Sequence, residues 1–435
     1  MTLTTFKSLG VSEETVTILT KKGYETPTPI QSALIPVFFD SEQDIIGKAD
    51  TGTGKTGAFG IPLIDTVNIS RSNVQALVLT PTRELASQVA KELSIYKGRK
   101  KIDVIELCGG QGMREQIDKL KKLKRASIVV GTPGRILDHL SKKRLNLSEI
   151  SYLIIDEVDE MLNFGFKEDM DNIVDKTNQD RRTIILSATL PKFVFKVAKT
   201  YLTNPIELNQ AKETSEKPNI DQIYYKANKA NKIKLVTRVI DSLEGFYGFL
   251  FCNTKREVDQ LAEKLMQLGY AAESMHGDLS QAQRNRALER FKSKQCDILV
   301  VTDVAARGID IKNISHVINM SVPQNIEAYT HRIGRTGRAG KSGTAITFVK
   351  ENDFYKFKRI MKMQKNQIVK KEVPNASDIL KIKRAKILND IEHIETKIEH
   401  QEFANKILSD SDPHVAVAAL LKLRFSDLFK KNKDY

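Results

Sequence analysis

Residues 49–56 read Ala-Asp-Thr-Gly-Thr-Gly-Lys-Thr, and the closing Gly54-Lys55-Thr56 has the residue types that a triphosphate requires. Bare backbone N–H groups must turn inward, which favours glycine at Gly52 and Gly54, with Thr51 and Thr53 completing the loop. Lys55 supplies an ammonium for the β- and γ-phosphates, and Thr56 a hydroxyl for Mg²⁺. The segment departs from the full phosphate-loop pattern only at its first position, where Ala49 replaces glycine. A Gly/Thr-rich turn before an ordinary helix has the same letters, so the segment needs a partner. Leu153-Ile-Ile-Asp-Glu157 is one: an apolar strand ending in two carboxylates. Asp156 is placed to hold Mg²⁺, and Glu157 to orient or deprotonate a water. An acidic pair that merely caps the next helix is the other reading of that stretch taken alone.

Both motifs need a scaffold. Strand-like aliphatic runs at 76–80, 127–131, 152–156 and 183–187 each end in a polar or Gly/Pro turn, and helical stretches at 84–95 and 112–123 lie among them. That alternation predicts a parallel sheet covered by helices, with ligands beyond the carboxyl ends of its strands. Pro81, Asp156 and Ser187 fall at those ends. A polar stretch, 209–219, reads as a linker. A second α/β region follows, with strands at 248–252, 297–302, 316–319 and 344–348 and no phosphate loop of its own. The predicted domains are therefore 1–208 and 220–365. From about residue 366 the pattern turns helical without strands. Ile387, Ile391, Ile394 and Ile398 recur at helical spacing, and 415–423 forms a compact apolar helix, so 366–435 is read as a helical extension.

The chain has 435 residues, enough for two or three domains with cores, and 40% hydrophobic and 28% charged residues describe a globular protein. No apolar stretch is long enough to span a membrane, and no secretion signal is evident, so a cytoplasmic protein with no membrane partner is expected. Cys108, Cys252 and Cys296 are far apart, without metal-site spacing. The net charge of +15 favours a polyanionic partner bound in a salt-dependent way.

The remaining motifs resemble those of DEAD-box ATP-dependent RNA helicases, over roughly residues 6–350 and in the family's order. Gly23-Tyr-Glu-Thr-Pro-Thr-Pro-Ile-Gln31, with Phe6 upstream, is similar to the adenine-reading Q motif. Gln31 has the donor and acceptor that an adenine edge requires, and Phe6 a ring to stack on the base. Pro81-Thr82-Arg83-Glu-Leu85, Gly109-Gly110 and Thr132-Pro-Gly134-Arg135 match the first domain's RNA-backbone elements. Ser187-Ala-Thr189 matches the element that couples hydrolysis to strand separation. In the second domain, Phe251-Cys-Asn-Thr254, His276-Gly277-Asp278, Gln281 with Arg284, and Thr302-Asp303 match the RNA-facing motifs. Arg307-Gly-Ile-Asp310 and His331-Arg-Ile-Gly-Arg335-Thr-Gly-Arg338 complete the set.

The resemblance implies two tandem RecA-like domains, ATP and Mg²⁺ as cofactors, and RNA as a largely sequence-independent partner. Arg335 and Arg338 act in it as arginine fingers on the γ-phosphoryl group, and Asp310 meets the ribose end. Asp159, Ser187, Thr189 and His331 couple nucleotide to RNA. The chain's one departure in the acidic signature is Asp156-Glu157-Val158-Asp159, where the family has alanine at the third position. Two extra methyl groups at a packed site cost about 1–3 kcal/mol if neighbours do not adapt. That departure keeps open an ATP-gated RNA clamp or annealing protein with weak unwinding, while the Q motif and the arginine motif argue against a DNA-directed ATPase. Val415-Ala-Val-Ala-Ala-Leu-Leu-Lys422 resembles, more faintly, a bacterial dimerisation region, which makes a homodimer an expectation. Ribosomal or RNA-decay partners are compatible with the same likeness.

Overall fold

The computed structural model describes residues 4–49, 52–123, 125–210, 219–227, 232–243, 245–306, 311, 314–337, 341–364 and 367–424. The chain divides into two compact units, the first within residues 1–215 and the second within 216–435 apart from residues 306–310. Among the described residues each contains one sheet of seven strands, and every strand pairing in both is parallel.

In the first domain the strands are β1 (Ile45–Lys48), β2 (Val74–Leu79), β3 (Ile102–Leu107), β4 (Ala126–Gly131), β5 (Tyr152–Asp156), β6 (Arg182–Ser187) and β7 (Ile206–Asn209), in the order β3-β4-β2-β5-β6-β1-β7. Their aliphatic runs are unbroken because both faces are covered. Ala76, Val78, Ile128, Val130, Ile154 and Ile184 face one core, and Leu77, Leu79, Val129, Leu153, Ile155 and Ile185 face the other. Each fully buried aliphatic side chain contributes about 1.5–3 kcal/mol, against about 0–1 kcal/mol for an exposed ion pair. Strand interiors, not surface pairs such as Lys119–Glu115, therefore hold the domain together.

The second domain has β8 (Ile220–Lys226), β9 (Gly248–Cys252), β10 (Ala272–Met275), β11 (Ile298–Thr302), β12 (His316–Asn319), β13 (Gly343–Val349) and β14 (Ile368–Lys371), ordered β10-β11-β9-β12-β13-β8-β14. Numbered from its own first strand, that order is the same as in the first domain.

Three expectations change. Strands β1, β3, β7, β8, β10 and β14 were absent from the sequence reading, and β14 lies in the stretch expected to be purely helical. It pairs with β8, Ile368 opposite Gln222 and Lys371 opposite Tyr225, so the second sheet runs on past residue 366. Four of the six lie at sheet edges, where only one side is paired and polar residues interrupt the aliphatic run: Ile-Asp-Val-Ile-Glu-Leu in β3, Ile-Val-Lys-Lys in β14. Last, the isoleucine row at 387–398 crosses a helix break. Helix Ala376–His393 ends before Ile394, and a separate helix, Ile398–Asp410, follows. A third, Pro413–Arg424, closes the described chain. Residues 211–218 of the expected linker lie outside the described residues.

Candidate functional site

The strand order of the first domain sorts the candidate residues into two groups. β1, β5 and β6 are neighbours, and their carboxyl ends carry the phosphate loop, Asp156-Glu157 and Ser187. β3, β4 and β2 are neighbours on the other side of β5, and their ends carry Gly109-Gly110, Thr132–Arg135 and Pro81–Arg83. Residues distant in sequence are thus sorted into two adjoining groups along one edge of one sheet, those expected to meet the nucleotide and those expected to meet RNA.

In the first group, helix Lys55–Thr66 starts directly from the loop. Gly52 and Gly54 have φ of +76° and +90°, conformations that residues with a Cβ seldom adopt. A Cβ on Gly54 would come within 2.6 Å of Gln31 Nε2, so this glycine also clears room for the Gln31 amide. The Lys55 ammonium is buried and donates to the Ala49 carbonyl at 3.0 Å. Ala49 itself is fully buried, and its N–H donates to the Ser187 carbonyl at 3.0 Å. Alanine in place of the pattern's first glycine is therefore accommodated in the core, and it ties the loop to β6. Thr56 follows Lys55 on the helix, also buried.

The residues expected to read adenine sit beside this loop. Gln31 Oε1 accepts the Thr28 N–H at 2.9 Å in a capping box, and Gln31 Nε2 donates to the Gly54 carbonyl at 3.1 Å. The side chain thus joins the Q motif to the phosphate loop. Phe6 is 3% exposed and packs into the same core. The helix Glu13–Lys21 that follows it is clamped at its start. Asp65, at the far end of the phosphate-loop helix, accepts from Ser12 N–H (2.8 Å), Ser12 Oγ (2.9 Å), Thr15 Oγ1 (2.6 Å) and the Lys100 ammonium. Burial works to raise the Asp65 pKa, but these donors together hold it below the usual carboxylate range.

Asp156 is 2% exposed, and its Oδ1 has no hydrogen-bond partner. Burial pushes its pKa up to about 7, opposed by Lys55 and reinforced by Glu157. An orphaned buried carboxylate oxygen in the field of the Lys55 ammonium, with the Thr56 hydroxyl following that lysine, offers the donor chemistry of a hard-cation site, and these residues fit Mg²⁺. Glu157 turns the chain with φ +56°, in the left-handed region, at the head of helix Val158–Asn163. Val158 is fully buried in the core with Ile155 and Met161. Asp159 Oδ2 accepts from Thr189 N–H (3.0 Å) and Thr189 Oγ1 (2.7 Å), while Ser187 Oγ donates to the Thr189 carbonyl at 2.6 Å. The acidic signature and the Ser-Ala-Thr element are thus directly connected despite the valine.

In the second group, the Thr82 hydroxyl caps helix Arg83–Tyr96. The Arg83 guanidinium lies against Gly109, where a Cβ would come within 2.9 Å of it. Gly110 has φ +83° and is exposed, and Gly134 is exposed with open space around its Cα. Bare backbone at such points suits phosphates, which carry no base information.

The second domain repeats the arrangement at the ends of β9, β10 and β11. Thr254 caps helix Lys255–Gln267, Gly277 is exposed with no atom nearer than 3.7 Å to a would-be Cβ, and the Thr302 hydroxyl caps Asp303–Ala306. Arg284 is buried on helix Gln281–Lys292. His276 Nε2 donates to Asp259 at 2.8 Å, while its Nδ1 accepts the Asp278 N–H at 3.3 Å, fixing the turn that holds Gly277. His331 lies on helix Ile326–Ile333, and Arg335 just beyond it. Their neighbour Arg332 anchors the motif. It is 2% exposed, donates to the Asp303 carboxylate at 2.5 and 2.7 Å and to Asn319 at 3.1 Å, and lies 5.1 Å from the Phe251 ring centre. Thr51, Asp310 and Arg338 lie outside the described residues.

Sequence reasoning passed over Asp65, Asp259 and Arg332. Arg332 alone carried a signal, since it sits inside a motif already singled out. The other two are joined to their partners only by the fold.

Comparison with known proteins agrees with this geometry. The family model described as DEAD/DEAH box helicase matches residues 28–197, and that described as helicase conserved C-terminal domain matches 231–340. The chain is 42% identical over 425 residues to the DEAD-box ATP-dependent RNA helicase CshA of Geobacillus kaustophilus, covering 97% of this chain and 90% of that one. Among solved structures it resembles S. cerevisiae Dbp5 bound to RNA and ADP BeF3, with a TM-score of 0.78 and 28% identity over 87% of this chain and 99% of that one. It likewise resembles Mss116p bound to ssRNA and AMP-PNP, with a TM-score of 0.77 and 28% identity over 97% and 87% of the two chains. Family models, a close full-length relative and a shared two-domain fold converge: the chain belongs to the DEAD-box RNA helicases.

Proposed function

We propose that this protein is an RNA-stimulated ATPase that separates short RNA duplexes or displaces proteins bound to RNA. The observation that carries the reading is the sorting of the two sets of candidate residues into adjoining groups on the first sheet's carboxyl edge. Gln31 and Phe6 select the base, the loop from Thr51 to Thr56 cradles the phosphates, and Lys55 neutralises charge on them. Asp156 and Thr56 are the residues to hold Mg²⁺, which supplies charge neutralisation across the β- and γ-phosphates. Glu157 orients the attacking water and takes its proton. In this reading Arg335 and Arg338, with Asp310 at the ribose, belong to a site complete only when the two domains close. RNA engaged by Pro81, Thr82, Arg83, Gly110, Thr132, Gly134 and Arg135 on one domain, and by Gly277, Arg284 and Thr302 on the other, favours closure and so turnover. The link from Asp159 to Thr189 supports coupling inside the first domain, with His331 as its counterpart in the second. Val158 packs without breaking that link, which supports the helicase reading over the ATP-gated clamp with weak unwinding.

The test is ATP turnover with and without RNA, and with DNA in place of RNA. Stimulation by RNA alone is expected, and full turnover without RNA contradicts the reading.

The helical extension supports a homodimer. Ile391, Ile394, Ile398, Phe403, Val415 and Leu423 are 61–82% exposed, more apolar surface than a solvated helix normally carries. Light scattering on the full chain and on one ending after β14, near residue 374, which keeps the second sheet whole, tests this, a monomeric mass for both being the contrary result. Among the described residues no helix is long and apolar enough to cross a membrane. A cytoplasmic location and ribosomal or RNA-decay partners belong to this reading through its RNA substrate.

A further inference from the structure

Helix Met113–Lys121 is largely solvated, yet Gln116 on it is 1% exposed. A buried amide has to satisfy two N–H donors and a carbonyl oxygen, and its choice of partners reveals what it holds together. Gln116 Nε2 donates to the Cys108 carbonyl at 2.8 Å and to Gln111 Oε1 at 3.3 Å. Its Oε1 accepts from Arg135 Nη1 at 2.9 Å and from His139 Nε2 at 3.0 Å. Cys108 immediately precedes Gly109-Gly110, and Arg135 ends Thr132-Pro-Gly-Arg135. One side chain therefore joins the backbone after β3 to the arginine after β4.

The network extends both ways. Gln111 donates to Glu106 at 2.6 Å, which fixes the turn on the far side of the glycine pair. The Arg83 guanidinium packs on Gly109 itself. All three RNA elements of the first domain thus lie one contact apart, with the Gln116 amide bonded to two of them. His139 takes its place because its Nε2–H donates to the amide oxygen. Burial, then Arg135, lowers the His139 pKa and keeps the ring neutral, so Gln116 Oε1 faces only one formal charge.

We propose that Gln116 is a positioning residue for RNA. It touches no nucleotide, and it sets the direction of the Arg135 guanidinium and the height of the Gly109-Gly110 backbone so that both meet successive phosphates of one strand. A loose arginine loses side-chain entropy on binding, and a pre-aimed one has already lost it. The inference rests on the RNA reading of Arg135 given above, and the test separates the two.

The experiment is a double-mutant cycle with Q116M, R135A and both together. It reads the RNA concentration for half-maximal ATPase stimulation, the plateau turnover, the KM for ATP and the affinity for a fluorescein-labelled single-stranded RNA. Q116M is expected to raise the half-saturating RNA concentration about tenfold, as for a lost hydrogen bond to a charged group. Plateau turnover and KM for ATP should stay within about twofold of the parent, since a positioning role acts on RNA alone. In the R135A background Q116M should cost clearly less than in the parent, because the part of its effect that runs through Arg135 is already gone and only the part through the Gly109-Gly110 backbone remains. Equal losses in both backgrounds, or an unchanged half-saturation, overturn the proposal. An R135A protein with parental RNA dependence instead overturns the underlying RNA reading of Arg135. If Q116M fails to fold, Q116E carries the test. Its carboxylate still accepts from Arg135 but cannot donate to the Cys108 carbonyl, so a loss smaller than that of R135A is expected, and one as large contradicts the proposal.

Discussion

The two domains share a strand order and part ways at the first turn. In the first, β1 runs into a loop with Gly52 and Gly54 at positive φ, and Lys55 opens the helix. In the second, β8 is followed by Ala227-Asn-Lys-Ala-Asn-Lys232, with no glycine, and Lys232 opens the corresponding helix. A second divergence lies at the sheet's middle. β5 ends in Asp156, buried with an oxygen unpartnered, whereas β12 ends in Asn319, whose amide donates to Thr347 and accepts from Arg332. The same frame can thus be a ligand site or a closed polar lock, according to whether its buried groups are left wanting a partner. What the domains keep in common is the other half of the edge. Turns after β2, β3 and β4, and after β9, β10 and β11, present exposed glycine and capped helix starts in both.

The sharpest way to break this comparison is to remove the two corresponding lysines. Lys55→Ala should lower ATP turnover about a thousandfold, the scale for losing a charge-stabilising group in a desolvated site. Lys232→Ala should leave it within about twofold. Comparable losses in steady-state ATPase assays would mean the second domain has a phosphate role the structure does not suggest.

Arg332→Met addresses the polar lock. Removing one partner of a buried charged pair typically costs about 3–5 kcal/mol, and Asp303 and Asn319 would be left without their donor. Chemical denaturation should show the second domain's transition moving to lower denaturant while the first domain's stays put. A variant as stable as the parent would mean the lock is not structural.

A smaller effect comes from His316. It stacks on Phe246 with ring centres 5.3 Å apart and is bonded to Ser315 at 2.7 Å, and burial lowers its pKa from 6.5 to about 4. The folded domain therefore binds the proton less well than the unfolded chain. The stability this gives is fully present above pH 6.5 and is lost as pH falls from there toward 4. Each tenfold loss of proton affinity is worth about 1.4 kcal/mol, so the whole effect amounts to about 3 kcal/mol. His316→Phe should flatten the pH dependence of the second domain's unfolding across that window. An unchanged slope would assign the dependence to other groups.

How far the sequence disclosed this follows from where each residue gets its definition. Central strands such as Leu153-Ile-Ile and Leu299-Val-Val are buried on both faces, so their aliphatic runs announce them. Edge strands β3, β7, β10 and β14 are half solvated and their polar residues hide them. Phosphate-loop and acidic residues were legible because the chemistry demands particular types at short spacing. Asp65 and Gln116 were not, since their partners lie up to 53 residues away and any polar side chain of suitable length satisfies the local pattern. Val158 was read correctly as a packed position, but whether its methyl groups would disturb Asp159 depended on the core around it.

The division of the first domain's edge is tested most directly by titrating ATPase activity with RNA in Glu157→Gln and Arg135→Ala side by side. The account predicts that Glu157→Gln lowers the plateau about a thousandfold while leaving RNA affinity intact, and that Arg135→Ala shifts half-saturation about tenfold at a parental plateau. If both variants change the same parameter, the edge is not divided and the account is wrong.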